Sequence, residues 1–167
     1  MPTPQLKRIL MAEDHREDVE LTLAALEEHH LANEVIVVRD GQEALDYLYR
    51  KEAYRDRPEG LPVVLLLDLK MPKVDGLEVL RRVKADPSLK SLPIVMLTSS
   101  REEIDLIRSY ALGANAYVVK PVDFQQFVDA VRTLGCFWAL INEPPPSSRP
   151  ATAPAPPPAS ANPEDPT

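Results

Sequence analysis

Five short apolar runs punctuate the chain, Ile9–Ala12, Glu34–Val38, Val63–Leu67, Ile94–Thr98 and Ala116–Val119, and most of them lack polar alternation. A strand without a polar side is buried on both faces, which calls for a parallel sheet covered by helices. The intervening segments supply the helices. Val19, Leu23 and Leu26 stand at helical spacing, as do Ala44, Leu45 and Leu48, then Val79, Leu80 and Val83, then Ile104, Ile107 and Ala111. A last helix carries Phe124, Phe127, Val128, Val131, Leu134 and Trp138. Asp86-Pro87, Gly113 and Glu143-Pro144 read as the stops of the third, fourth and fifth helices. Five βα repeats with right-handed crossovers give an α/β fold with an open, doubly wound sheet. Ligands of such sheets bind beyond the carboxyl ends of the strands.

The chain has 167 residues, enough for one domain with a full hydrophobic core. Residues 1–143 read as that domain. Residues 144–167 are almost entirely Pro, Ala, Ser, Thr and a few charges, a composition that cannot bury a core, and read as a disordered tail. A net charge of −7 with no dense basic block argues against nucleic acid as a partner. The single cysteine, Cys136, cannot form an internal disulfide and reads as a small buried or interfacial residue. Neither a signal peptide nor a membrane span is visible, so a reducing cytoplasm is the expected location and no membrane partner is implied.

The strand ends carry the chemistry. Glu13 and Asp14 follow the first run, Asp68 the third, Thr98 ends the fourth and Lys120 follows the fifth. Parallel strands bring these groups to one edge. Three crowded carboxylates repel one another, and one takes up a proton unless a cation offsets the charge. Mg2+, a hard ion that keeps several waters and needs only one or two carboxylates, suits a shallow open site. His15 is the one histidine close by, which disfavours zinc. A carboxylate can also act as a nucleophile toward phosphorus, with Mg2+ and Lys120 neutralising the phosphoryl charge and Thr98 bonding one of its oxygens. Simpler roles exist for each residue: Asp14 could cap the helix near Arg16, Asp75-Gly76 could be a turn and cap, and Lys120 could be an exposed turn lysine. Their coincidence at one edge favours the chemical reading.

Taken in order, Glu13-Asp14, the segment Asp68-Leu-Lys-Met71-Pro72-Lys-Val-Asp75-Gly76, Leu97-Thr98-Ser99 and Tyr117-Val-Val-Lys120-Pro121 resemble the receiver domain of two-component response regulators, from about Lys7 to Ile141. The resemblance implies a flavodoxin-like sheet in the order 2-1-3-4-5. It implies that Asp68 is the phosphoacceptor, supplied by a histidine kinase or a small phosphodonor. Asp14, Asp68 and the backbone carbonyl of Lys70 would be direct Mg2+ ligands, with Glu13 holding the ion through water. Thr98 and Lys120 would bind phosphoryl oxygens, Thr98 and Tyr117 would form the switch, and the Lys120-Pro121 bond would be cis. Lys70 would reach over the phosphoryl group, and Ser100 would leave space for water. The protein would be no enzyme in the usual sense, apart from Mg2+-dependent self-phosphorylation and autodephosphorylation.

A narrower resemblance rests on the extended connection Tyr49–Pro62, the segment Asp86–Pro93 and the pair Phe137-Trp138. These are similar to single-domain regulators that work with phytochrome-type sensor kinases. That subgroup implies a homodimer through helix 4, strand 5 and helix 5, with Phe137, Trp138 and Ile141 as candidate contacts. The downstream partner would be a target protein or a histidine phosphotransfer protein. Two other readings are weighed against this one. A Mg2+-dependent phosphohydrolase with an aspartyl nucleophile would want a second aspartate two residues later, where Lys70 stands. A receiver kept only as a scaffold would be expected to have lost part of the acidic pair, Asp68 or Lys120.

Overall fold

The structure, a computed structural model, describes residues 8–28, 34–110, 112 and 116–135. Five strands, β1 (Ile9–Ala12), β2 (Val35–Val38), β3 (Val64–Asp68), β4 (Ile94–Thr98) and β5 (Ala116–Val119), pair in parallel in the order β2-β1-β3-β4-β5. Helices α1 (Arg16–Glu27), α2 (Gly41–Tyr49), α3 (Gly76–Ala85), α4 (Arg101–Ser109) and α5 (Phe124–Thr133) alternate with them. The order reverses at β1, where β2 lies on one side and β3 on the other, so the crevice opens at the end of β1 and β3.

Side-chain alternation divides the core into two layers, because successive strand residues point to opposite faces. Ile9, Met11, Val64, Leu66, Val95 and Val118 pack with α1 and α5, through Val19, Leu26, Phe127 and Val131. Leu10, Leu65, Leu67, Ile94 and Met96 pack on the other face with α2, α3 and Ile107 of α4. Both faces are apolar, which is why the strands read as continuous runs.

Helix starts are set by side-chain caps at four of these five helices. Asp40, Asp75 and Asp123 accept from the backbone N–H of Glu43, Glu78 and Gln126 at 2.7, 2.8 and 2.8 Å, and Ser100 from Glu103 at 3.3 Å. Each such cap contributes about 1 kcal/mol. The exception is α1, whose N-cap is His15 and makes no side-chain cap hydrogen bond. Asp14 therefore does not cap this helix.

The strand and helix limits differ from the sequence reading by small steps. Asp68 is the last residue of β3 and not the residue after it, and α4 ends at Ser109 ahead of the expected stop. Gly113, Cys136, Phe137, Trp138, Ile141 and the 144–167 segment lie outside the described residues.

The extended connection after α2 is held by Arg57, whose guanidinium donates to the Tyr47 carbonyl at 2.6 Å and lies 4.3 Å from the Tyr47 ring. Tyr54 donates its hydroxyl to Glu43 at 2.6 Å. The turn after β3 is closed by Gly76, whose N–H donates to the Leu69 carbonyl at 2.9 Å. A Cβ there would fall 2.1 Å from the Asp68 carbonyl oxygen. Gly76→Ala is expected to lower stability by about 1–3 kcal/mol, read as a reduced urea midpoint at unchanged slope.

Candidate functional site

Parallel register carries the strand ends to one line. Ala12 pairs with Leu67, Asp68 with Leu97 and Thr98 with Val119. Beyond these pairs the ladder continues for one step, with the Glu13 N–H donating to Val38 at 3.0 Å and the Lys120 N–H to Thr98 at 2.7 Å. Glu13, Asp68, Thr98 and Lys120 are thereby fixed by sheet geometry, and the Lys120-Pro121 peptide is cis.

The Lys120 ammonium is the centre of this group. It donates to Glu13 Oε1 at 3.1 Å, to Asp68 Oδ1 at 3.2 Å and to Asp18 Oδ2 at 2.9 Å. Glu13 and Asp68 are 1 % and 3 % exposed, so two carboxylates are taken out of water and depend on one shared cation. Burial alone lowers the lysine pKa, but the carboxylates of Asp18, Asp68 and Glu13 outweigh it and hold the group above the ordinary lysine range. Burial, with the Glu13 carboxylate beside it, pushes the Asp68 carboxyl up to about 7, against the opposing pull of Lys120. One lysine does not balance the group.

Among the described residues, three buried side-chain oxygens have no hydrogen-bond partner: Asp14 Oδ1, Asp68 Oδ2 and Thr98 Oγ1. Unpaired buried oxygens of this kind are costly and call for a ligand. Glu13, Asp14, His15 and Asp68 each offer one ligand atom, all within 4.8 Å of one another. A donor set rich in carboxylate oxygen fits a hard divalent ion. The residues present fit such an ion.

The Lys70 ammonium lies 3.4 Å from Glu103 of α4. Glu103 also accepts from the Ser99 backbone N–H at 2.8 Å and the Ser99 hydroxyl at 2.7 Å, and Ser100 is occupied as the α4 cap. Tyr117 is half-buried, packs on the α4 side of the sheet, and has the Arg108 guanidinium 5.1 Å from its ring centre. Asp18 is the site residue that the sequence reading missed. Its signal was its spacing from Asp14, one helical turn onward, which turns it toward the same strand ends.

An acidic, cation-demanding cluster beyond the carboxyl ends of a 2-1-3-4-5 sheet defines a flavodoxin-like protein with its ligand site at the switch point. Residues 9–132 match the response regulator receiver domain, and the chain belongs to that family. It is 38% identical over 132 residues to the response regulator Rcp1 of Synechocystis sp., covering 79% of this chain and 88% of Rcp1. Two solved structures are more similar: the bacteriophytochrome response regulator AtBRR, at 63% identity and a TM-score of 0.79, covering 84% of this chain and 100% of that one, and RtBRR, at 62% and 0.77, covering 86% and 87%. Rcp1 has also been solved in a Mn2+-bound form, at 37% identity and a TM-score of 0.63, covering 80% of this chain and 95% of that one. This chain is accordingly a response regulator, a signalling protein similar to those of phytochrome pathways. No helix among the described residues is long and apolar enough to cross a membrane.

Proposed function

We propose that Asp68 accepts a phosphoryl group from the phosphohistidine of a phytochrome-type sensor kinase, and that the phosphorylated chain signals through protein contacts. The observation that carries this reading is the Asp68 carboxylate itself. It is buried at a strand end, with one oxygen held by Lys120 and the other unpartnered. In the transfer, the carboxylate forms a bond to phosphorus while the P–N bond to the kinase imidazole breaks and its electron pair leaves with nitrogen.

Asp14, Asp68, the Lys70 carbonyl and, through water, Glu13 are the residues that would hold Mg2+. The bound ion supplies positive charge against the crowded carboxylates and the phosphoryl oxygens. Lys120 is already within bonding distance of Asp68 and balances charge on the new acyl phosphate. Thr98 Oγ1, fully buried and unpartnered, gains an acceptor in a phosphoryl oxygen. Movement of Thr98 leaves room for Tyr117 to turn inward. That turn breaks the Arg108 contact and reports the event to α4.

The groove between α4, β5 and α5 is lined by Ile104, Arg108, Tyr117, Gln126 and Asp129, mixed in charge and beside the switch ring. The mixed charge of this face, Arg108 and Asp129 lining one groove, suits a self-complementary contact and supports homodimerisation through it. We place the chain in the cytoplasm, with residues 1–143 as its receiver domain. Self-phosphorylation by small donors follows from the same site.

Intact mass after incubation with acetyl phosphate and Mg2+ tests the reading. The wild type is expected to gain one phosphoryl group, and Asp68→Asn or chelation with EDTA to prevent it. A gain that survives Asp68→Asn would sink the assignment.

A further inference from the structure

His15 is the one N-cap among the five helices whose side chain does not cap, and its ring faces the acidic site. Its backbone N–H donates to Glu13 Oε2 at 3.3 Å, which ties the residue to the carboxylates. The Nδ1 atom lies 3.3 Å from Asp14 Oδ1 and 3.7 Å from Glu13 Oε2. We infer that His15 contributes an imidazole nitrogen to the divalent-cation site and biases it toward first-row transition ions such as Mn2+, Co2+ and Ni2+ relative to Mg2+. This rests on the reading of the acidic cluster as the cation site of the phosphoryl reaction.

The juxtaposition has two independent parts. The donor atoms of Glu13, Asp14, His15 and Asp68 lie within 4.8 Å of one another. An ion with bonds of about 2.1 Å places opposite ligands roughly 4.2 Å and adjacent ones roughly 3.0 Å apart, so side-chain rotations that draw the widest pair in by about 0.6 Å or more bring the set together. Separately, Asp68 Oδ2 is buried and unpartnered, as is Thr98 Oγ1 at the end of the neighbouring strand, which marks a ligand position and not merely a run of surface acids.

The simpler account is a surface histidine, 65% exposed in its side chain, attracted by two acids. The two accounts differ in ion selectivity. Mg2+ is satisfied by oxygen and water and gains little from imidazole, whereas transition ions gain affinity from a nitrogen donor in the Irving–Williams order. A surface ion pair has no reason to discriminate among divalent ions.

The test uses the full, tag-free chain and its His15→Asn variant, in which an oxygen donor and a competent helix cap replace the imidazole. Calorimetric titration with Ni2+ and with Mg2+ gives the affinity ratio of each protein. That ratio is expected to fall at least about tenfold in His15→Asn. Electron spin-echo spectra of the Mn2+-loaded wild type are expected to show nitrogen modulation that His15→Asn removes; this assigns the nitrogen, since His29 and His30 remain. A ratio unchanged within about twofold, or modulation persisting in the variant, overturns the inference while leaving the phosphoryl reading in place. A wild type that binds no divalent ion overturns both.

Discussion

Lys120→Met is expected to lower the stability of the metal-free protein by about 3 kcal/mol near neutral pH, because it strands buried charge. Glu13 and Asp68 then face each other with almost no access to water and without the ammonium that now lies 3.1 and 3.2 Å from them. Asp18, which is less buried, is released toward solvent and suffers less. The deficit should shrink under two conditions that supply positive charge by other means. In the variant Asp68 already takes up a proton near neutral pH, since its pKa is about 7 in the intact site and rises further without the lysine, and near pH 5 it is protonated in both proteins, which removes the part of the deficit that comes from its charge. Millimolar Mg2+ stabilises whatever folded state still binds it, by linkage. Urea unfolding at pH 7.5 with EDTA, at pH 5, and at pH 7.5 with Mg2+ distinguishes this from loss of packing. An equal deficit in all three conditions would mean that the aliphatic stem matters and the charge does not. Phosphoryl gain from acetyl phosphate should also be strongly impaired, with the protein kept folded by Mg2+.

How much of this was legible in the residues depends on the length scale of the information. The sheet was legible because parallel strands buried on both faces must be apolar throughout, as Val64 to Leu67 and Ile94 to Leu97 are. The site was legible because charge at the end of such a run has few places to go. Glu13, Asp68 and Lys120 also continue the alternation that points Ile9, Met11, Leu66 and Val118 toward α1 and α5, so all three gather on one side. Asp18 was missed for a specific reason. It lies in the first turn of a helix, where an acid is ordinarily explained by the helix dipole. The Lys70–Glu103 contact was not legible because Glu103 belongs to a cap network on α4 that no local pattern around Asp68 encodes. Contacts between long flexible side chains on different elements depend on the crossover geometry, whereas strand-end positions depend only on register.

Asp68→Asn is expected to make the metal-free protein more stable, the reverse of the usual outcome for a buried polar substitution. The Asp68 carboxyl has an ordinary value of 3.8 and is pushed up to about 7 in the folded chain by burial and by Glu13. Between those two values the folded state binds more protons than the unfolded state. Wild-type stability therefore falls as pH rises from about 4 to 7 and levels off above that. Asparagine has no such titration, so the variant's curve should lack this slope. Near pH 7.5 the variant should exceed the wild type by about 1–3 kcal/mol, while near pH 4 the two should converge. The gain stays below the full linkage value because the amide still needs partners in the place of Asp68 Oδ2, which has none. Lys120 remains paired with Glu13 and Asp18 in the variant, so the ammonium is not stranded in turn. Denaturant midpoints in EDTA across pH 4 to 8 check the prediction, and parallel curves for the two proteins would refute it. Adding Mg2+ should reverse the order, since the ion stabilises the wild type by linkage and the variant has lost a carboxylate ligand. A carboxylate whose charge costs stability at rest is one whose environment favours any incoming positive charge, and this ties the instability of the metal-free site to its affinity for the cation.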